Sequence, residues 1–352
     1  MGTIERQASY TVRQALSHTS LIADLIANAH HREPPSGRSF HQEAYGKIVH
    51  AARSGDLASL TRETLYMATA DRVVPIEVDL SNTQFNGALL TGVPFPAGYE
   101  PDILAMLAAF LPRDGVFFDV GANWGYFVFH LLLEPGFAGR VVALEPAAQS
   151  FNDLQRLTTI LDVPSRATLL RVAGADRSGT ATLSADAWSG NQSLVGGDEC
   201  GERVALAQLD DLDLPAPALI KIDVEGYEAQ VVKGARRTIA TYRPVIIFES
   251  WCKNPTDQAP HEPFTALAVH GYHFYVPEFA PHVGEPKCRP VAFADEIPFC
   301  VRGELKLTPV GASDRPAYGE RINVLATPAP LRQAGSTCKA AESCASTTRC
   351  DR

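Results

Sequence analysis

Twice in this sequence an apolar run ends on an acid and the chain then turns. In "VFFDVGANWGYF" Asp119 stands before Gly121, Asn123 and Gly125, and in "VVALEP" Glu145 closes the following apolar run just before a proline. Gly121 lets the backbone turn sharply and come close to a ligand, and Gly125 lets the next helix begin with no side chain in the way. A dinucleotide fingerprint needs three glycines at tighter spacing, so that pyrophosphate rests on a helix N-terminus. Here the spacing is D-x-G-x-x-x-G. A carboxylate aimed into such a crevice repels pyrophosphate and suits a ligand carrying an ammonium or a sulfonium; S-adenosylmethionine carries both. Glu145, one βαβ half-unit further on, is placed to accept the two ribose hydroxyls of a nucleoside. Glycine-rich turns and strand-end acids occur in any α/β protein. It is the ordered set Asp119, Gly121, Asn123, Gly125 and Glu145 that points to a nucleoside-type cofactor, with S-adenosylmethionine ahead of NAD. Asp176 in "VAGADRSG" either bonds the adenine amine or is a plain turn aspartate, and the residues leave both readings open.

A second group lies in "LIKIDVEGYEAQVVKGA", where Lys221, Asp223, Glu225 and Glu228 surround the end of another apolar run and Gly226 opens the next helix. Like charges a few ångströms apart disfavour joint ionisation, so the group contains a candidate general base. Asp223 is the first catalytic candidate, Glu225 the second, and His261 in "DQAPHEPF" a distant third. First-turn acids also favour a helix N-terminus, an equal reading for Glu228. Asp223 with Glu225 would suit a hard divalent cation as a minor alternative. "HEPF" lacks the second histidine of a zinc helix motif, and no metal is expected.

These residues need strand ends to carry them. Helix "DILAMLAAFL", strand "VFFDV", helix "YFVFHLLLE", strand "RVVALE", helix "SFNDLQRLTTIL" and strand "TLLRVA" alternate. Strand "ALIKIDV", helix "YEAQVVKGARRTIATY", strand "PVIIFE", helix "PFTALAVHG" and strand "YHFYV" continue the pattern. Continuous apolar strands joined by helical crossovers predict an α/β fold, a doubly wound, mostly parallel sheet covered on both faces. "INVLAT" is expected antiparallel at the sheet edge, after a turn-rich insertion from Pro277 to Glu320. Ahead of the sheet, "LIADLIANAHH", "YGKIVHAAR" and "LASLTRETLYMA" show helical spacing and predict an N-terminal helical cap, followed by a short strand or hairpin around "PIEVDL". The organisation expected is a cap or lid over 1–75, a Rossmann-like domain over 76–328 and a disordered tail over 329–352.

Composition excludes some partners. The formal charge of −9 gives no electrostatic reason to approach nucleic acid or anionic lipid, since both contacts depend on basic surface. Seven cysteines scattered without paired metal spacing suggest reduced thiols and a cytoplasmic location. No export signal and no apolar run of about eighteen residues is present, so neither secretion nor a membrane span is expected. A small-molecule acceptor is the partner that remains.

"FFDVGANWGYF", "VVALEP", "LIKIDVEGYEAQVVKGA" and "PVIIFES", taken in order, resemble the FkbM family of methyltransferases, over roughly Gly98 to Glu249. "GYEPDIL" also resembles the family's entry helix, and "LDDL" before the fourth core strand fits as well. The resemblance implies a class I, seven-stranded, S-adenosylmethionine-dependent fold and O-methylation of a hydroxyl on a sugar or secondary metabolite. By position it puts Asp119, Gly121, Asn123, Gly125 and Glu145 in the cofactor motifs, and Asp223, Glu225 and Gly226 in the signature after the fourth strand. Trp124 and Tyr227 depart from the family's usual smaller residues and would reshape an acceptor pocket. N-methylation of a small amine is the alternative, and an NAD-dependent oxidoreductase, which the missing third glycine disfavours, a weaker one.

Overall fold

The structure is a computed structural model that describes residues 3–16, 62–79, 82–85, 98–184, 194–195, 201–252, 259–282 and 298–332. It opens with β1 (Ile4–Val12), β2 (Gln14–Leu16), β3 (Arg62–Ala68) and β4 (Val73–Asp79). The alternation then runs α1 (Pro101–Phe110), β5 (Val116–Val120), α2 (Tyr126–Leu132), β6 (Arg140–Leu144), α3 (Ala148–Ile160) and β7 (Ala167–Leu170). Short strands β8 (Ala173–Gly174), β9 (Gly179–Ser184), β10 (Leu194–Val195) and β11 (Gly201–Ala207) follow. The chain ends its described part with β12 (Leu219–Ile222), α4 (Glu228–Gly234), α5 (Arg236–Tyr242), β13 (Val245–Trp251), α6 (Glu262–Ala268), β14 (His273–Pro281), β15 (Phe299–Val310) and β16 (Arg321–Thr327).

The main sheet has nine strands in the order β1-β15-β14-β16-β13-β12-β5-β6-β7. From β7 to β13 the neighbours are parallel, and β16 is reversed between β13 and β14. Alternate residues of the central strands feed opposite faces, as the pleat requires. Phe117, Val141, Leu219 and Ile247 pack on one side with Leu104, Leu107, Val128 and Leu157. Phe118, Val142, Ile220 and Ile246 pack on the other with Val231, Ile239 and Leu267. Burying both faces is why these strands read as unbroken apolar runs. The chain builds β5, β6 and β7 toward one edge, then returns to lay β12 beside β5. Strand order therefore reverses between β5 and β12, and a crevice opens at their carboxyl ends.

Several expectations need correction. The sheet has nine strands where seven were expected, with β15 and β1 added beyond β14 by antiparallel pairing. Ile322–Thr327 belongs to an interior strand, since its last four residues are buried where an edge strand would show water one face. The stretch expected as a turn-rich insertion contains the twelve-residue β15, in which Val301, Leu305 and Leu307 alternate inward. Ile4, Ala8, Tyr10 and Val12 alternate inward in β1 in the same way, so the chain's first described residues belong to the main sheet and not to a helical cap. Arg62–Ala68, expected as helix, is a strand paired with β4, with Leu65 and Met67 buried two residues apart. The 75/76 boundary falls inside β4. "LIADLIANAHH" and "YGKIVHAAR", with His30, His31, His41 and His50, and the tail with Cys338, Cys344 and Cys350 lie outside the described residues. A four-stranded sheet, β10-β9-β11-β8, was not expected. The long predicted helix breaks at Ala235 into α4 and α5; a Cβ on Gly234, the last residue of α4, would lie 1.8 Å from the Ala175 carbonyl oxygen, so this glycine permits the close approach of helix and strand exit.

Among the described residues no helix is long and apolar enough to cross a membrane.

Candidate active site

A cleft opens at the carboxyl ends of β5, β6 and β12. Its floor is the turn after β5. Gly121 (φ 84°) and Ala122 both donate their backbone N–H to the Leu144 carbonyl, at 2.9 and 3.0 Å, and the Asp223 N–H donates to the Val120 carbonyl at 3.0 Å. These bonds press β5 against both neighbours. A Cβ on Gly121 would stand 1.8 Å from the Asp223 carbonyl oxygen, so only glycine fits. Asn123 is left-handed (φ 49°), and its Oδ1 accepts the Trp124 N–H at 2.8 Å. Gly125 lies behind this turn at the start of α2, where a Cβ would meet Leu154 at 2.5 Å, and it does not line the cleft.

Glu145 lines the cleft from the end of β6. Its two oxygens accept the Asn123 and Ala147 backbone N–H groups, each at 2.8 Å, so the carboxyl group ties the glycine turn to the neighbouring strand. Burial pushes its pKa up to about 7 against those two hydrogen bonds. Asp119 does not line the cleft. The register of β5 on β12 puts it opposite Lys221, which donates to Asp119 Oδ1 at 3.4 Å and to Asp223 Oδ2 at 3.1 Å. Asp119 is fully buried and Lys221 almost so, with the ammonium 5.0 Å from the Phe127 ring centre. Burial raises Asp119 to about 6 against the pull of Lys221. For Asp223, burial is outweighed by Lys221 and Arg321, and its pKa falls below the usual carboxylate range. Lys221 stays protonated: the surrounding acids outweigh burial and hold its pKa above the ordinary lysine value.

The opposite wall carries more acids than the sequence suggested. Glu225 (φ 50°) and Gly226 (φ 91°) form a left-handed pair after Asp223, and burial followed by the charge of Asp223 lifts Glu225 to about 8. Glu249, from β13, does not itself line the cleft; it is buried against Arg321, which does, and the Trp251 indole N–H. Burial, then the charge of Asp223, raises it to about 9. Glu100, at the start of α1, accepts from Arg321 Nη2 at 2.9 Å and rises to about 7 through burial. Of five non-glycine residues with positive φ among the described residues, three (Glu100, Asn123 and Glu225) line this one cleft. Backbone strain of that kind, about 1–3 kcal/mol each, persists where surrounding structure enforces it and gathers at functional sites.

The sequence reading found Gly121, Asn123, Glu145, Asp223 and Glu225, and the fold brings all five to the cleft. Asp176 does not reach it: the side chain pairs with Arg177 at 3.0 Å, while Val172, Ala173 and Gly174 line that end. Glu228 accepts the Gly226 N–H at 3.0 Å, capping its own helix start. His261 bonds the Ala312 carbonyl through Nδ1 at 2.7 Å, away from the cleft. Tyr272 and Tyr275 are core residues, and Phe274 packs edge-on against Phe248. Glu249, Glu100 and Arg321 were missed. Glu249 carried the same signal as Glu145, an acid closing an apolar run. Asp223, Glu225 and Glu249 bring oxygens within 4.8 Å of one another, a spacing that could hold a cation, although the Arg321 guanidinium already occupies Glu249.

Residues 119–274 match the family model for the methyltransferase FkbM domain. Over 153 residues, 42% of this chain and 61% of the relative, the sequence is 28% identical to the hexuronic acid methyltransferase AglP of Haloferax volcanii. Among solved structures, methyltransferase FkbM from Methylobacillus flagellatus KT is 21% identical, with a TM-score of 0.38 over 60% of this chain and 48% of that one. An S-adenosylmethionine-dependent O-methyltransferase from Thermotoga maritima is 14% identical, with a TM-score of 0.34 over 76% of this chain and 78% of that one. The chain thus spans less than two thirds of the length of the Haloferax and Methylobacillus relatives. Seven strands with one reversed strand second from an end, helices on both faces and a cleft where strand order turns back make the class I, Rossmann-like methyltransferase fold. It is the methyltransferase FkbM domain that residues 119–274 of this chain resemble.

Proposed function

We propose that this chain is an S-adenosylmethionine-dependent methyltransferase that modifies a hydroxyl of a sugar or secondary metabolite. The observation that carries this reading is the meeting of Gly121, Glu145, Asp223 and Glu225 in a single cleft inside the FkbM-matching segment. The donor set fits the cofactor. Each Glu145 oxygen is anchored by one backbone N–H and keeps a further lone pair for a ribose hydroxyl. Asp223, kept ionised by Lys221 and Arg321, supplies fixed negative charge for a cationic ligand.

When bound, S-adenosylmethionine supplies an electrophilic methyl group on positively charged sulfur. What the protein adds is alignment and a place for the acceptor's proton. The sequence put Asp223 first as base, but a carboxylate held anionic by a buried lysine is a weak proton acceptor. Glu225, lifted to about 8 by burial and by Asp223, is closer to the operating pH and takes that role. The Haloferax relative, described as acting on a hexuronic acid, supports a carbohydrate acceptor.

Isothermal titration with S-adenosylmethionine, S-adenosylhomocysteine and NADH tests the reading. Both sulfur nucleosides should bind and NADH should not; binding of NADH alone would establish the oxidoreductase alternative instead.

A further inference from the structure

Resting on the methyl-transfer reading, the hydrogen-bonding capacity left in the cleft defines the class of acceptor. Two cationic side chains line it among the described residues, Lys221 and Arg321. Lys221 is buried and divided between Asp119 and Asp223. Arg321 is the group best suited to receive a substrate carboxylate, because a guanidinium fork matches two oxygens at once. The Nε–Nη2 edge of that fork is already used. Nε faces Glu249, Nη2 donates to Glu100 at 2.9 Å, and the guanidinium carbon lies 5.5 Å from the centre of the Trp251 ring. The register of β16 on β13 fixes this arrangement by placing Arg321 opposite Trp251.

The cleft's other charged lining groups are acids. Glu100 Oε2 is buried with no hydrogen-bond partner although its residue lines the cleft, and the Glu225 carboxyl stands on the same wall. We infer that Arg321 is a specificity residue withheld from the substrate by Glu249 and Glu100, so that the cleft takes an acceptor rich in hydrogen-bond donors, a neutral polyol ring or an amine, and turns away one bearing a carboxylate. A carboxylate brought here would leave Glu100 Oε2 unsatisfied and would add to carboxylates already too close to ionise together. A hydroxyl or ammonium satisfies both conditions. This separates the chain from a relative described as acting on a hexuronic acid.

Methyl β-D-glucopyranoside, methyl β-D-glucosaminide and methyl β-D-glucuronide test the inference. Each is offered at equal concentration with S-adenosylmethionine while S-adenosylhomocysteine release is followed, and each is titrated into the protein in saturation-transfer NMR. The glucoside or the glucosaminide should exceed the glucuronide by about tenfold or more, the order expected from one like-charge contact. Glu249→Gln frees Arg321 and should shrink that ratio toward one; Glu100→Gln serves the same purpose if the first variant does not fold. Glucuronide equal to or better than the others, a ratio unchanged in the folded variants, or no saturation from any of the three sugars overturns the inference. Loss of S-adenosylmethionine binding in calorimetry with the sugar preference intact would instead sink the methyl-transfer reading alone.

Discussion

Glu225 is where the chemistry can be read most directly. As the proposed base, Glu225, lifted to about 8, is mostly protonated at neutral pH, so turnover should climb about tenfold per pH unit below that value and level off above it. Glu225→Gln should lower kcat by about 100-fold or more and flatten the profile, measured as S-adenosylhomocysteine formation from pH 6 to 9. A variant that keeps the inflection near 8 would move the role to another acid. Gly121→Ala tests the turn instead of the chemistry. With φ at 84° and the Asp223 carbonyl 1.8 Å from the new Cβ, it should cost at least about 2 kcal/mol in denaturant unfolding. At this scale the sequence was informative where a residue reaches the cleft from its own strand end, as Glu145 and Asp223 do. It was silent where the partner comes from another strand. Nothing in "VFFDV" reveals that Asp119 faces Lys221, because only the β5–β12 register creates that contact.

The elements were legible wherever both faces are buried. β5, β6, β12 and β13 with their helices stand within a few residues of the reading, since an unbroken apolar run admits little else. β1 and β15 escaped because their signal is the weaker alternation of half-buried strands, interrupted in β15 by Gly303. "LASLTRETLYMA" carried spacings compatible with both periods, and pairing with β4 decided for strand. The helices on the two faces should matter to similar degree. Leu104 of α1 and Val231 of α4 are fully buried on opposite sides of the sheet. Leu104→Ala should cost about 2–5 kcal/mol and Val231→Ala somewhat less, with m-values preserved, in urea unfolding.

For the molecule as a whole, the buried acids in and around the cleft set a slope of stability against pH. Glu145, Glu100 and Glu228 are raised to about 7, Glu225 to about 8 and Glu249 to about 9, each chiefly by burial. Unfolded glutamates titrate near ~4.3, so between there and about 9 the folded protein binds more protons than the unfolded chain. Stability present below the unfolded pKa is lost as pH rises through the folded values, and the melting temperature should fall from pH 5 to pH 9. Asp223 has the opposite sign, its contribution being lost in acid, but it is outnumbered. Glu249→Gln should flatten the alkaline part of the curve; a melting temperature that rises with pH would contradict the burial of these groups.

The pairing of β1 with β15 joins Ile4 to Leu307 across almost the entire chain. A ribosome delivers β1 long before β15, its hydrogen-bonded partner among the described residues, so β1 must wait for that pairing until β15 has been made. Its absence would be felt at the other end: a truncated protein beginning after Val12 leaves the β15 backbone amides on that flank open to water and to other molecules. Light scattering should show such a protein self-associating at concentrations where the intact chain stays dispersed.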